Sequence, residues 1–220
     1  MTVLITGATR GIGLKLAHDY AAAGEEVIGT TRGAVPDLPG VDWQLLDVTD
    51  PASHEALANV LDARPIDLLV CNAGVYKDKY ENLADGYPPQ MWAETFAANV
   101  TGVFLTVQAM LPNLQGAPAP KIAIISSQMA SDTRAPGGSY IYRASKAAAL
   151  NLGRNLSTDL RGLGIAVGIY HPGWVRTDMG GPQGEIDVDE AAAGLTRRFA
   201  ALSLDNTGCF ETWDGREMPY

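Results

Sequence analysis

The chain has 220 residues, 46% of them hydrophobic and 19% charged, with a formal net charge of −9. That length and composition suit one large folded domain and exclude a disordered chain. The acidic balance, without a basic stripe, excludes nucleic acid as a partner, because phosphate backbones are held by clustered lysine and arginine.

Short apolar runs alternate with helical patterns along the chain. Residues 3–6 read as a strand, followed by a glycine-rich turn and a helix through Ala23. Residues 26–31 and 43–46 read as strands, 52–63 as a helix and 67–71 as a strand. A long helix is expected over 91–111, ended by Pro112. Then come a strand at 122–126, a helix at 142–160, a strand at 165–170, a helix at 188–201 and a closing strand at 209–213. Strands apolar throughout are buried on both faces. Their alternation with helices therefore predicts an α/β fold, a doubly wound parallel sheet with helices on both faces. No linker or repeat divides it, so residues 1–220 are expected to form a single domain.

No apolar run approaches the ~20 residues that span a bilayer. No basic leader precedes Val3-Leu4-Ile5, which leads us to expect a cytoplasmic protein without a membrane partner. Cys71 and Cys209 read as free thiols. His18, His54 and His171 are scattered, so no metal site is expected.

Two features carry chemistry. Thr6-Gly7-Ala8-Thr9-Arg10-Gly11-Ile12-Gly13 lies between the first strand and the first helix. Glycines there let backbone N–H groups approach a pyrophosphate, and the helix N-terminus favours the negative charge. The second is Tyr142-Arg143-Ala144-Ser145-Lys146, which sets a phenol and an ammonium one helical turn apart. A cation beside a phenol favours the phenolate and draws its pKa from ~10 toward the working range. Tyr140 lacks such a partner, since Ala144 follows it at that spacing.

The ordered set of motifs resembles the short-chain dehydrogenase/reductase family. Thr-Gly-x-x-x-Gly-x-Gly is followed by Asp47-Val48, Asn72-Ala73-Gly74, Asn99 in Asn-Val-Thr-Gly, Ser126-Ser127, Tyr-x-x-x-Lys and Pro172-Gly173-Trp174-Val175-Arg176-Thr177. His171-Pro172-Gly173-Trp174 and the C-terminal Phe210…Asp214-Gly215…Pro219 are similar to the C-factor and sniffer-like carbonyl reductase branch. Cys71 stands where the family often has Asn, and the interval from Ser127 to Tyr142 is longer than usual, which leaves Ser126 and Ser131 as alternatives to Ser127.

The resemblance implies a Rossmann-type fold and an NAD(P)(H)-dependent oxidoreductase that interconverts a carbonyl and an alcohol. It implies Tyr142 as acid/base, Lys146 as ribose ligand and pKa modulator, Ser127 as anchor of the substrate oxygen and Asn99 as part of a proton relay. Gly7, Arg10, Gly11, Ile12 and Gly13 would hold the pyrophosphate, Asp47 and Val48 the adenine. Asn72, Ala73 and Gly74 would line the middle of the cofactor. Pro172, Gly173, Val175 and Thr177 would hold the nicotinamide. Met129 and Trp174, with Tyr76, would face the substrate.

The end of the second strand reads Thr30-Thr31-Arg32, with no acid for a ribose 2′-hydroxyl. Arg32, with Arg10, suits a 2′-phosphate. NADP(H) is therefore favoured, with NAD(H) the alternative. Only about ten residues separate Thr177 from the next helix, too few for a lid of its own, so an open, shallow site is expected. The family also implies a possible homodimer or homotetramer through its long helices. A competing reading is a catalytically weak nucleotide-binding signalling protein on the same fold.

Overall fold

The computed structural model describes all residues, Met1–Tyr220. Seven strands form one sheet: β1 (Thr2–Ile5), β2 (Glu26–Thr31), β3 (Val41–Leu45), β4 (Leu68–Cys71), β5 (Lys121–Ile125), β6 (Ala166–His171) and β7 (Phe210–Thr212). Their spatial order is β3-β2-β1-β4-β5-β6-β7. Every pair is parallel, with Val3 opposite Val27 on one side and Leu68 on the other.

Seven helices flank it: α1 (Gly11–Ala22), α2 (Pro51–Leu61), α3 (Pro89–Phe96), α4 (Gly102–Ala109), α5 (Leu111–Gln115), α6 (Tyr140–Arg161) and α7 (Val188–Ala201). The strand period of two sorts the core into two layers. Leu4, Ile28 and Leu69 face Leu57, Val107 and Leu156 from α2, α4 and α6. Val3, Ile5 and Val70 face Leu16, Leu195 and Phe199 from α1 and α7. Parallel strands buried on both faces need both layers, which is why these segments are apolar throughout.

Local signals set several helix ends. Asp50 accepts the Ala52 N–H at 3.0 Å with Pro51 behind it, and Asp187 accepts the Glu190 N–H at 2.8 Å. The helix expected over 91–111 is interrupted. A π-helical turn, Ala97–Thr101, separates α3 from α4, and Pro112 sits in the first turn of α5 rather than ending its predecessor. Proline's missing N–H does no harm in a first turn, so Pro112 opens a helix there. No helix is long and apolar enough to cross a membrane.

Candidate active site

From β1 the chain runs outward to β2 and β3, then crosses back to β4 on the other side of β1. Crevices at such a switch point, beyond the carboxyl ends of the strands, are where open α/β sheets take ligands. A cleft of about 530 Å³ lies there. Its floor is the glycine turn. Gly7 has φ +65°, and a Cβ on it would fall 2.9 Å from Ala73 Cα, so no other residue fits without movement. Asn72 Nδ2 donates to the carbonyls of Thr6 and Gly7, both at 3.0 Å, and Thr6 Oγ1 accepts the N–H groups of Asn72 and Ala73. These bonds tie the end of β4 to the turn after β1.

The N-cap of α1 is Arg10, whose side chain makes no capping bond. The first N–H groups of a helix have no partner inside it, and the helix dipole adds partial positive charge. Gly7, Arg10, Gly11, Ile12, Gly13, Asn72, Ala73 and Gly74 all line the cleft at this point. An uncapped helix N-terminus opening into a glycine-walled cleft fits a pyrophosphate.

At one end the cleft is lined by Thr30, Thr31, Arg32, Asp47 and Val48. Thr30 Oγ1 accepts the Gly7 N–H at 3.1 Å, a role for a strand threonine that the sequence did not reveal. Asp47 Oδ1 accepts from the N–H and hydroxyl of Thr49, at 2.9 and 2.8 Å. Those bonds hold its carboxyl below the usual range, with the Arg32 guanidinium adding to the effect. Arg32 itself is exposed. Arg10 reaches across to Asp178, 3.2 Å away, in an exposed pair of the kind that exchanges partners easily.

The other end holds Tyr142 and Lys146, both buried and both lining the cleft. Lys146 Nζ donates to the Ile125 carbonyl at 2.9 Å and lies 5.6 Å from the centroid of the Tyr142 ring. Burial pushes the Lys146 ammonium down to about 8. Burial also raises the Tyr142 phenol, Ser127 works against that rise, and Tyr76 and Asp78 add to it. Burial thus acts on the phenol in the direction opposite to the pull expected from Lys146.

The serines separate by partner. Ser126 donates to the Lys146 carbonyl at 3.0 Å and is spent on the scaffold. Ser127 faces the phenol and accepts the Met129 N–H at 3.1 Å. Ser131 bonds Thr133 and the Tyr220 carbonyl, in the direction of the C-terminus.

Asn99 lies in the π-helical turn and clamps Val75. Its Oδ1 accepts the Val75 N–H at 2.8 Å, and its Nδ2 donates to the Val75 carbonyl and to Ser145 Oγ. Both amide protons are therefore used. A Cβ on Gly74 would meet Asn99 Oδ1 at 3.1 Å and Lys146 Nζ at 3.6 Å, which brings those two groups around one point.

Pro172 and Thr177 line the cleft. Gly173 and Val175 do not. A Cβ on Gly173 would press on Ile186 and Trp213, and Val175 is buried in a bridge to Ile186, so both shape the loop from behind. Trp174 is half exposed and donates through Nε1 to the Gly180 carbonyl at 2.9 Å, while Met129 is half-buried beside Ser127.

Sequence reasoning missed the loop's own contribution. Met179 lines the cleft, and Lys79 Nζ donates to the carbonyls of Met179 and Gly180 at 3.1 and 3.0 Å. That contact straps the loop after β6 to the segment after β4. It also missed Asp78, which is fully buried at the N-terminus of α6 and carries no sequence signal among its charged neighbours Lys77 and Lys79.

The profile of short chain dehydrogenases matches residues 1–187. The chain belongs to that family. Among relatives of this short-chain dehydrogenase is the C-signal of Myxococcus xanthus, 37% identical over 166 residues, which span 75% of this chain and 99% of that protein. The NADPH-bound carbonyl reductase from chicken fatty liver superposes with TM-score 0.90 at 32% identity, over 100% of this chain and 98% of that one. The carbonyl reductase Sniffer of Drosophila melanogaster gives TM-score 0.90 at 25% identity, over 100% and 99%. As an oxidoreductase of this family, the chain has its glycine turn and its Tyr142–Lys146 pair lining one cleft.

Proposed function

We propose that this chain uses NADPH to reduce a ketone or aldehyde to the alcohol, or runs the reverse with NADP. The observation that carries the reading is a single cleft joining Arg32 and the uncapped start of α1 to the buried Tyr142 and Lys146. When bound, a reduced nicotinamide supplies the hydride. Tyr142 gives its proton to the carbonyl oxygen, the general-acid step of the reduction. Ser127 hydrogen-bonds the same oxygen and stabilises the charge that develops there. Lys146 binds the nicotinamide ribose and restores the proton, helped by a water that the remaining lone pair of Asn99 Oδ1 can hold.

Arg32 supports NADPH over NADH, because the end of β2, Thr30-Thr31-Arg32, carries no acid and the exposed guanidinium can take a 2′-phosphate. NAD(H) remains the alternative cofactor. Tyr76, Met129 and Trp174 give the substrate side an apolar and aromatic character, which favours carbonyl compounds with such a body. Trp92 and Phe104 are partly exposed on α3 and α4, where a homodimer or homotetramer would pair.

The test is oxidation of NADPH and of NADH against a panel of aldehydes, ketones and quinones. Turnover with NADPH supports the reading, and turnover only with NADH reverses the cofactor choice. The likeness to the C-signal favours a second reading, a nucleotide-binding signalling protein. Tight NADPH binding with no turnover across the panel would establish it.

A further inference from the structure

The helix that carries Tyr142 does not cap itself. Ser139, at the N-cap of α6, has φ +48° and makes no capping bond. Its hydroxyl instead meets the Tyr76 hydroxyl at 2.5 Å. The cap comes from Asp78, on the segment after β4. Asp78 Oδ2 accepts the Ile141 N–H at 2.8 Å, and its two oxygens accept the Tyr142 N–H at 3.2 and 3.3 Å. The side chain is fully buried. A carboxylate in that position is tolerated because backbone donors and the helix dipole replace its water.

We propose that Asp78 is a positioning residue for Tyr142, fixing the place of the phenol through the backbone of the residue that bears it. The inference rests on the carbonyl-reductase reading above.

Three contacts make this segment a template for the acid. Asn99 clamps Val75 through both backbone groups. Tyr76 stacks on Tyr142, with ring centroids 4.1 Å apart and planes 20° from parallel. Asp78 then holds the backbone N–H of Tyr142 itself. The left-handed Ser139 is an uncommon conformation for a residue with a side chain, and such strain persists where surrounding contacts enforce it. Here those contacts are the Tyr76 hydroxyl and the Asp78 cap.

The same anion also bears on the charge around the phenol. The groups facing the Tyr142 phenol are Lys146 from its own helix, Ser127 from the segment after β5, and Tyr76 and Asp78 from the segment after β4. Asp78 is the one anion among them. It opposes ionisation of the phenol, as Ser127 favours it.

The test compares Asp78→Asn and Asp78→Ser with the wild type on the best substrate of the panel. Both keep a neutral acceptor for the helix and remove the charge. Expected are a drop in kcat of roughly tenfold to a hundredfold, since small misplacements of a catalytic group cost that much, KM within about threefold and unaltered NADPH binding by fluorescence. The reduction pH profile should move to lower pH, because loss of the anion lets the groups around it give up their protons sooner. If either folded variant keeps the wild-type kcat and pH profile, with only a lower melting temperature, Asp78 is a cap and nothing more. If neither variant folds, Asp78 holds the fold itself and the proposal is overturned. A wild type that reduces nothing refutes the carbonyl-reductase reading first, whereas an active wild type with unmoved variants refutes this inference alone.

Discussion

Lys146 shows what one residue at this site costs the fold. An ammonium buried to the point that its pKa falls from 10.5 to about 8 destabilises the native state wherever it stays protonated. The unfolded chain binds the extra proton between those two values, so stability rises with pH across that window and the full penalty applies below about 8. At about 1.4 kcal/mol per unit, the penalty is a few kcal/mol, partly offset by the bond to the Ile125 carbonyl. Lys146→Met should therefore abolish turnover yet raise the melting temperature at pH 7, with the gain shrinking as pH climbs toward 10. Calorimetry at several pH values checks this. Arg32 carries the cofactor choice in the same single-residue way: Arg32→Asp should lower the NADPH-to-NADH preference in kcat/KM by roughly tenfold or more, and an unchanged ratio would assign the 2′-phosphate elsewhere.

At the scale of elements, close approaches decide where the site sits. α4 begins at Gly102, where a Cβ would lie 2.7 Å from the Val48 carbonyl and 2.9 Å from its Cβ. That contact seats α4 against the Asp47-Val48 wall of the cleft. Gly102→Ala should lower stability by about 1–3 kcal/mol despite alanine's better helix propensity, because the crowding atom is backbone and cannot turn away; a denaturant melt measures it. The strap from Lys79 to the loop after β6 predicts that Lys79→Ala speeds amide hydrogen exchange in residues 178–186 and leaves α7 unaffected.

These contacts also mark the limit of what the sequence made legible. The strands and most helices follow from apolar runs and their punctuation, and Val188–Ala201 emerged with its expected bounds. The π-helical turn did not, because no residue type announces it: Ala97-Ala98-Asn99-Val100-Thr101 reads as ordinary helix until Asn99 turns to clamp a distant loop. Asp78 was hidden for the same reason, its partners lying more than sixty positions away.

For the whole molecule, the strand order places the site. The reversal between β1 and β4 puts Gly7 and Asn72 side by side, and the family motifs legible in the sequence collect around that reversal because the two sheet faces are already covered by helices. With one sheet and two continuous core layers, we expect one unfolding transition, coincident by circular dichroism and by tryptophan fluorescence. NADPH at a hundredfold excess over its Kd should stabilise that transition by about 2.7 kcal/mol if it binds only the native state. The most direct measurement is the Tyr142→Phe variant, assayed for NADPH binding and for carbonyl reduction together. The account predicts wild-type binding with kcat lowered by roughly a thousandfold, as general acid loss at a preserved site requires. Retained kcat in that variant would contradict Tyr142 as the proton donor.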